Sequence, residues 1–175
     1  MKLTTKILAV TALFALGACT SADRFGPGGG GAGAGAGGGL NDGGIVAGSI
    51  NDPTSPAYFN QTIGDRVLFA VDQSTLSTEA QLVLDQQAVW LTQNVGYSAL
   101  IEGHADEQGT SDYNLALGER RAEAVRSYLV SRGVASNRLR TISYGKERPL
   151  AICSDETCYA QNRRSVTVLT AGAGV

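Results

Sequence analysis

Apolar and polar positions follow two different patterns along residues 58–170, and together these patterns outline one folded domain. Four short runs are continuously apolar or alternate with polar residues, which is typical of β-strands: 67–70, 98–102, 139–144 and 165–169. Two longer segments place apolar residues three or four positions apart, which predicts amphipathic helices over 78–94 and 111–132.

The first predicted helix has clear starting signals. Ser77 and Thr78 are both suitable N-caps, and Gln81 completes a Thr-x-x-Gln capping box. One face carries the apolar side chains that we expect in the core: Ala80, Val83, Leu84, Ala88 and Leu91, widened by Val89 and Trp90.

The second predicted helix begins at Ser111 or Asp112, either of which can cap it, and ends at Gly133. Its apolar face is formed by Leu117, Val125, Tyr128 and Leu129. With the strands, and a short helix before the last one, the order is β-α-β-α-β-β. This order predicts an α+β fold, an α/β sandwich in which the helices pack on one side of a mixed sheet.

Residues 1–18 have the features of a targeting segment that precedes the domain. Lys2 and Lys6 provide a basic start. The apolar run at 7–16 has about ten residues and is too short to span a bilayer, which needs about 20. Leu-Gly-Ala-Cys at 16–19 then resembles a bacterial lipobox, whose cysteine is lipidated and becomes the mature N-terminus.

The lipobox predicts a lipid anchor on Cys19, where each buried CH₂ of the acyl chains contributes about 0.8 kcal/mol. An ordinary secretory signal with a chance cysteine is the alternative. Thr20 occupies the position at which aspartate is the usual inner-membrane retention signal in the enteric-type sorting system. Its presence favours the outer membrane.

Residues 19–56 are predicted to form a flexible tether between the lipid and the domain. The sequence at 26–39, GPGGGGAGAGAGGG, has nothing to bury, and 41–56 continue with Gly, Asp, Ser and two prolines. Roughly 30 such residues have a mean reach of about 30 Å. A tether implies a target away from the membrane, and a plain spacer is the alternative.

Charge argues against a role in nucleic-acid binding. Without Lys2 and Lys6, the 14 basic residues fall to 12 against 16 acidic ones, a net charge of −4. Neutralising phosphates requires a basic face, which a mildly acidic chain is poorly suited to supply.

Two cysteines, Cys153 and Cys158, remain once Cys19 is assigned to the lipid. An even pair in an oxidising compartment, closing a small loop, predicts a disulfide. A metal site is the alternative, but two thiols and the distant His104 form a thin ligand set. We expect His104 to orient its own loop by hydrogen bonds, and we expect neither a metal nor a cofactor.

Residues 101–126, IEGHADEQGTSDYNLALGERRAEAVR, carry the candidate binding site. Gly103 allows a sharp turn out of the strand, and 104–109 form a polar loop that contains Asp106. Arg121 lies about two turns into the following helix. An acid and a guanidinium beside one cleft can hold a zwitterion, with Asp106 taking an ammonium and Arg121 a carboxylate. A structural salt bridge between the two is the alternative.

This segment, with SYGKERP at 143–149 and QNRRSVTV at 161–168, closely resembles the OmpA-like peptidoglycan-binding domain family over essentially all of residues 58–170. The resemblance implies that the cleft binds the side-chain zwitterion of meso-diaminopimelate, which Gram-negative peptidoglycan carries in its peptide stem. In the family, the positions matching Asp106 and Arg121 bind this group.

Other residues are expected around the same cleft. Asn114 and Leu117 match family positions that shape it, and Phe69 is expected to form its floor. Arg164 is expected either to approach the cleft or to pack in the sheet.

Two positions depart from the family pattern. Ala70 replaces an aspartate that many members carry, and Gln108 replaces the arginine of a Glu-Arg-Gly loop. Because neither change touches Asp106 or Arg121, we expect binding to survive them.

The resemblance implies a non-catalytic anchor that links the outer membrane, through the lipid on Cys19, to the cell wall. It also implies TolB and the other Tol-Pal proteins as partners, with TolB competing for the peptidoglycan face, and a role in outer-membrane integrity and invagination at cell division. A wall-anchoring lipoprotein outside this system is the alternative. Catalysis is not expected, because the sequence has neither a Gly-x-Ser-x-Gly elbow nor the acid pair or zinc set of a peptidoglycan hydrolase.

Overall fold

The computed structural model describes residues 46–171, so the predicted targeting segment, Cys19 and the glycine tract lie outside it. Its elements are α1 (Pro56–Tyr58), a π-helical segment (Phe59–Gly64), β1 (Arg66–Leu68), α2 (Thr78–Gln93), β2 (Tyr97–His104), α3 (Ser111–Ser131), a 3-10 turn (Ser136–Arg138), β3 (Leu139–Gly145), α4 (Glu156–Asn162) and β4 (Arg164–Ala171). This is the predicted order, and the α+β fold class is confirmed. Between residues 46 and 171, no helix combines the length and apolar character needed to cross a bilayer.

The sheet has four strands in the order β1-β4-β2-β3. Strand β4 runs antiparallel to both of its neighbours, whereas β2 and β3 are parallel. Val67, Ala99 and Ile101 pack with buried residues of α2 and α3 in one core. Both long helices therefore cover the same face of the sheet.

The core follows the predicted apolar faces with one exception. Leu84, Ala88 and Leu91 of α2 are buried, and so is Trp90, whose ring centroid lies 5.0 Å from that of Phe59. Val89 is instead 56 % exposed, so its expected packing in the core is wrong. Consecutive helical positions point about 100° apart, and Trp90 takes the inward direction that Val89 cannot share.

Ser77, one of the two predicted caps of the first helix, is confirmed, whereas the capping box and the predicted cap of the second helix are wrong. Ser77 caps α2 by accepting a hydrogen bond from the Ala80 backbone N–H, and Gln81 donates its amide to the Leu76 carbonyl, so the capping box does not form. Thr110 caps α3, one residue before the expected Ser111. Several adjacent hydroxyl and carboxyl residues can serve as caps, and the backbone conformation selects among them.

The residues just before α1 belong to the folded domain rather than to the tether. The indole Nε1 of Trp90 donates to the Pro53 carbonyl at 2.7 Å, and Ser55 is 2 % exposed and caps α1. The predicted tether boundary at residue 56 is therefore too late. A buried indole N–H needs a hydrogen-bond acceptor, and here this segment supplies it.

Two glycines let α3 lie directly on β2. A Cβ atom at Gly103 would sit 1.9 Å from the carbonyl oxygen of Gly118. Only hydrogen atoms fit at this contact, so any larger residue at 103 would push the helix away. The close approach places Arg121, one turn farther along α3, over the loop that follows β2.

Candidate functional site

A cleft of about 320 Å³ opens where β1 and β2 end and α3 begins. Its walls come from residues 71–72, from the loop after β2 and from the first half of α3. Four predicted site residues line it together: Asp106, Asn114, Leu117 and Arg121. Phe69 lies behind this cleft, with its ring centroid 5.2 Å from the Arg121 guanidinium carbon.

Arg121 is fully buried and is held by backbone carbonyls. Its three acceptors are the carbonyl oxygens of Gln73 at 2.8 Å, His104 at 2.8 Å and Ala70 at 3.2 Å. A guanidinium has five N–H donors, so these bonds leave two for a ligand. No carboxylate among residues 46–171 lies within salt-bridge distance of it.

Burial lowers the pKa of Arg121 to about 10, and the nearby Asp106 acts in the opposite direction. The side chain therefore still carries its positive charge at neutral pH. Carbonyl dipoles solvate that charge without neutralising it. The buried end of the cleft is thus suited to an anionic group with two oxygen atoms.

Asp106 pairs with Arg163, a residue that the sequence did not single out. Its Oδ2 accepts from Arg163 Nη1 at 3.2 Å, and its Oδ1 accepts from the Gln108 backbone N–H at 3.3 Å. The direct salt bridge between Asp106 and Arg121, left open by the sequence, does not form. Both groups share the cleft as separate charges.

Asp72 brings a second carboxylate to the cleft and was missed from the sequence. Its φ of 57° is the only positive value for a non-glycine residue between 46 and 171. Aspartate tolerates this left-handed conformation better than most residues. Its carboxylate accepts a hydrogen bond from the Tyr113 hydroxyl, which fixes it at the rim. The available signal was an aspartate two residues after the predicted strand at 67–70.

Arg164 does not line the cleft. Its guanidinium donates to the carbonyls of Asn162 at 3.3 Å and Arg148 at 3.2 Å. Of the two expectations for this residue, the structure favours packing in the sheet. The arginine of the pair that does reach the site is Arg163.

At Ala70 and Gln108, the two positions that depart from the family pattern, the backbone and not the side chain makes the contact with the site. The Ala70 carbonyl accepts from Arg121, and the Gln108 carbonyl accepts from the Asn114 amide at 2.7 Å. These bonds do not depend on the side chains at 70 and 108. They keep the cleft in shape despite both substitutions.

His104 is 2 % exposed, and neither ring nitrogen has a hydrogen-bond partner among the described residues. Its ring therefore does not orient the loop as expected. Only its backbone carbonyl contributes to the site, as an acceptor for Arg121.

Cys153 and Cys158 are joined by a disulfide, with 5.7 Å between their Cα atoms. The loop that it closes leads into α4, which is capped by Asp155. With both sulfur atoms in the bond, this pair has no thiolate to offer a metal.

Comparison with known proteins identifies the family of the folded domain. The OmpA family matches residues 68–163. The C-terminal domain of Helicobacter pylori MotB has the same fold, with a TM-score of 0.58, 21 % identity and coverage of 62 % of this chain and 86 % of that one. The described residues thus form an OmpA-family domain.

Relatives that are similar in sequence identify the group of proteins within this family. The peptidoglycan-associated lipoprotein of Mesorhizobium japonicum is 48 % identical over 168 residues, which cover 96 % of this chain and 92 % of the relative. Its counterpart in Rhizobium meliloti is 56 % identical, over 75 % of this chain and 73 % of the relative. The crystal structure of the peptidoglycan-associated lipoprotein from Burkholderia pseudomallei has a TM-score of 0.62 and 41 % identity, and covers 69 % of this chain and 98 % of that one.

The chain belongs to the peptidoglycan-associated lipoproteins of the OmpA family. These relatives are lipoproteins named for an association and not for a reaction, and the chain is not an enzyme.

Proposed function

We propose that this protein binds peptidoglycan non-covalently through the diaminopimelate side chain of the stem peptide. In this proposal, the ligand carboxylate takes the two remaining N–H groups of Arg121. The ligand ammonium lies between the carboxylates of Asp72 and Asp106. The names of the relatives, which describe association with peptidoglycan, support peptidoglycan as the larger ligand.

The observation that carries this proposal is the state of Arg121. Arg121 is a fully buried guanidinium with no carboxylate partner among residues 46–171, which is energetically costly unless a bound ligand supplies the opposite charge. Two acids within the same cleft supply the complementary charge for a zwitterion. A structural arginine would be expected to pair directly with one of these acids.

The lipid expected on Cys19 would place the other end of the protein in the outer membrane. We propose that the chain thereby links this membrane to the wall within the Tol-Pal system, with TolB as a partner that competes with peptidoglycan for an overlapping face. In this role it supports outer-membrane integrity and the inward movement of that membrane at division.

Arg121→Lys tests the binding site, because it keeps the charge but removes the planar fork. Losing a charged hydrogen bond costs about 1.5–3 kcal/mol, so binding should weaken roughly ten- to a hundred-fold. The measurement is sedimentation of the purified lipoprotein, in mild detergent, with diaminopimelate-type peptidoglycan.

Arg126→Lys is the matched control, because Arg126 lies on the same helix and pairs with Glu123 outside the cleft. Its sedimentation should equal that of the unchanged protein. Peptidoglycan with lysine in place of diaminopimelate lacks the side-chain carboxylate and should bind more weakly to the unchanged protein. Full sedimentation of a folded Arg121→Lys protein would refute the site.

TolB provides the test of the wider system. Added TolB should displace the lipoprotein from peptidoglycan in proportion to its concentration. Wall binding that is intact and insensitive to TolB would instead favour a wall-anchoring lipoprotein outside Tol-Pal.

A further inference from the structure

Arg163 is buried where three parts of the domain meet. It is 5 % exposed, and its Nε donates to the Phe69 carbonyl at 3.3 Å. Its guanidinium also contacts the carboxylates of Asp106 and Glu156. One side chain thus connects the end of β1, the loop after β2 and the start of α4.

These contacts hold the Asp106 carboxylate on one side of the cleft. A carboxylate has about four acceptor positions on two oxygens. Arg163 and the Gln108 N–H use one on each oxygen, so acceptor capacity remains for an ammonium. A planar guanidinium fixed by its other bonds restricts the rotation of its partner more than a mobile lysine would.

The same contact keeps Asp106 away from Arg121. These two residues line one cleft, and the charge of Asp106 already acts on Arg121, yet the structure does not pair them. If Asp106 lost its bond to Arg163, the two unused N–H donors of Arg121 in the same cleft would be available to it as partners. The internal carboxylate would then occupy the position that a ligand carboxylate needs.

We propose that Arg163 is a positioning residue that holds Asp106 in its ligand-binding orientation and prevents it from closing onto Arg121. This inference rests on the proposed function, because it assigns Arg163 a role in the same site. Arg163 acts through Asp106 and does not contact the ligand. Its loss should therefore weaken the recognition of both ligand charges.

A double-mutant cycle between Arg163→Gln and Asp106→Asn tests this role, because it separates action through Asp106 from a general structural effect. The affinity of the purified full-length lipoprotein, in mild detergent, for a soluble diaminopimelate-containing muropeptide is measured by calorimetry. Arg163→Gln alone should weaken binding about ten-fold or more. In the Asp106→Asn background, the same change should alter affinity by no more than about two-fold.

Arg164→Gln is the matched control for removing a buried arginine, since Arg164 is the adjacent residue, is 7 % exposed and, among the described residues, donates hydrogen bonds only to carbonyl groups. It should lower the unfolding temperature but change affinity by no more than about two-fold. If Arg163→Gln does not fold, Arg163→Lys enters the same cycle. Arg163→Lys keeps a cation beside Asp106. It should therefore lower affinity less than Arg163→Gln does, and only in the protein that retains Asp106.

The outcomes separate this inference from the proposed function. If Arg163→Gln lowers affinity equally in the unchanged protein and in Asp106→Asn, or in neither, the positioning role of Arg163 is overturned and the proposed binding site is left standing. If Asp106→Asn and Arg121→Lys both bind like the unchanged protein, the proposed site fails and the positioning role fails with it.

Discussion

The imidazole of His104 is a buried titratable group whose environment disfavours its charged form. Burial, followed by the charges of Arg164 and Arg148, lowers its pKa to about 4. The Glu102 carboxylate, 3.6 Å from Nε2, would favour the charged ring but does not outweigh these effects. His104 is therefore neutral in the folded protein at neutral and mildly acidic pH.

This pKa predicts a loss of stability in mild acid. In the unfolded chain the ring binds a proton near pH 6.5, whereas the folded ring does so only near pH 4. Between these values the unfolded state holds the extra proton, so the free energy of unfolding falls as the pH falls. The His104 contribution is at most about 3 kcal/mol, since one pKa unit corresponds to about 1.4 kcal/mol.

Urea unfolding of His104→Phe at pH 7, 5.5 and 4 would measure this contribution. Phenylalanine keeps an aromatic ring beside Tyr144, whose centroid lies 5.6 Å from that of His104, but cannot titrate. The variant should lose less stability than the unchanged protein over this range, while the carboxylates contribute equally to both. Identical pH profiles would show that His104 does not titrate as described.

The elements show which parts of the fold are readable from sequence. Periodicity located α2, α3 and every strand, because each buries one face in a shared core. It missed the π-helical segment at Phe59–Gly64, which is short and lacks a complete apolar repeat. The cap of α3 was displaced by one residue, from Ser111 to Thr110, because neighbouring Ser, Thr and Asp side chains have similar capping energies.

The Cys153–Cys158 disulfide is the element-scale feature that is simplest to remove. Cross-linking residues five positions apart limits the unfolded chain and should stabilise the domain by about 2 kcal/mol. Replacing both cysteines by serine should therefore lower the unfolding temperature by roughly 8 °C. Differential scanning calorimetry measures the change.

Reducing agent provides the control for this change. It should lower the unfolding temperature of the unchanged protein to that of the double-serine variant and leave the variant unaffected. A variant that melts with the unchanged protein would mean that this bond does not contribute to global stability.

At the scale of the whole molecule, the site combines segments that are far apart in sequence. Asp106 and Arg121 were predictable because they share one loop-helix motif. Asp72 and Arg163 were not, because Arg163 reaches Asp106 across 57 positions and Asp72 meets Tyr113 across 41. Such contacts depend on how β1 and β4 pair, which no local pattern specifies.

The proposed function divides the molecule into two independent attachments, and this division can be tested in cells. Cys19→Ser should release the protein from the membrane fraction, because the expected acyl chains provide the membrane affinity. The released protein should still sediment with purified peptidoglycan, since the residues described as lining the cleft lie between Val71 and Arg121. Arg121→Lys should do the opposite, remaining in the membrane fraction and losing the wall. Membrane retention of Cys19→Ser would contradict the lipid anchor, whereas loss of both attachments in either single variant would show that they are coupled and not independent.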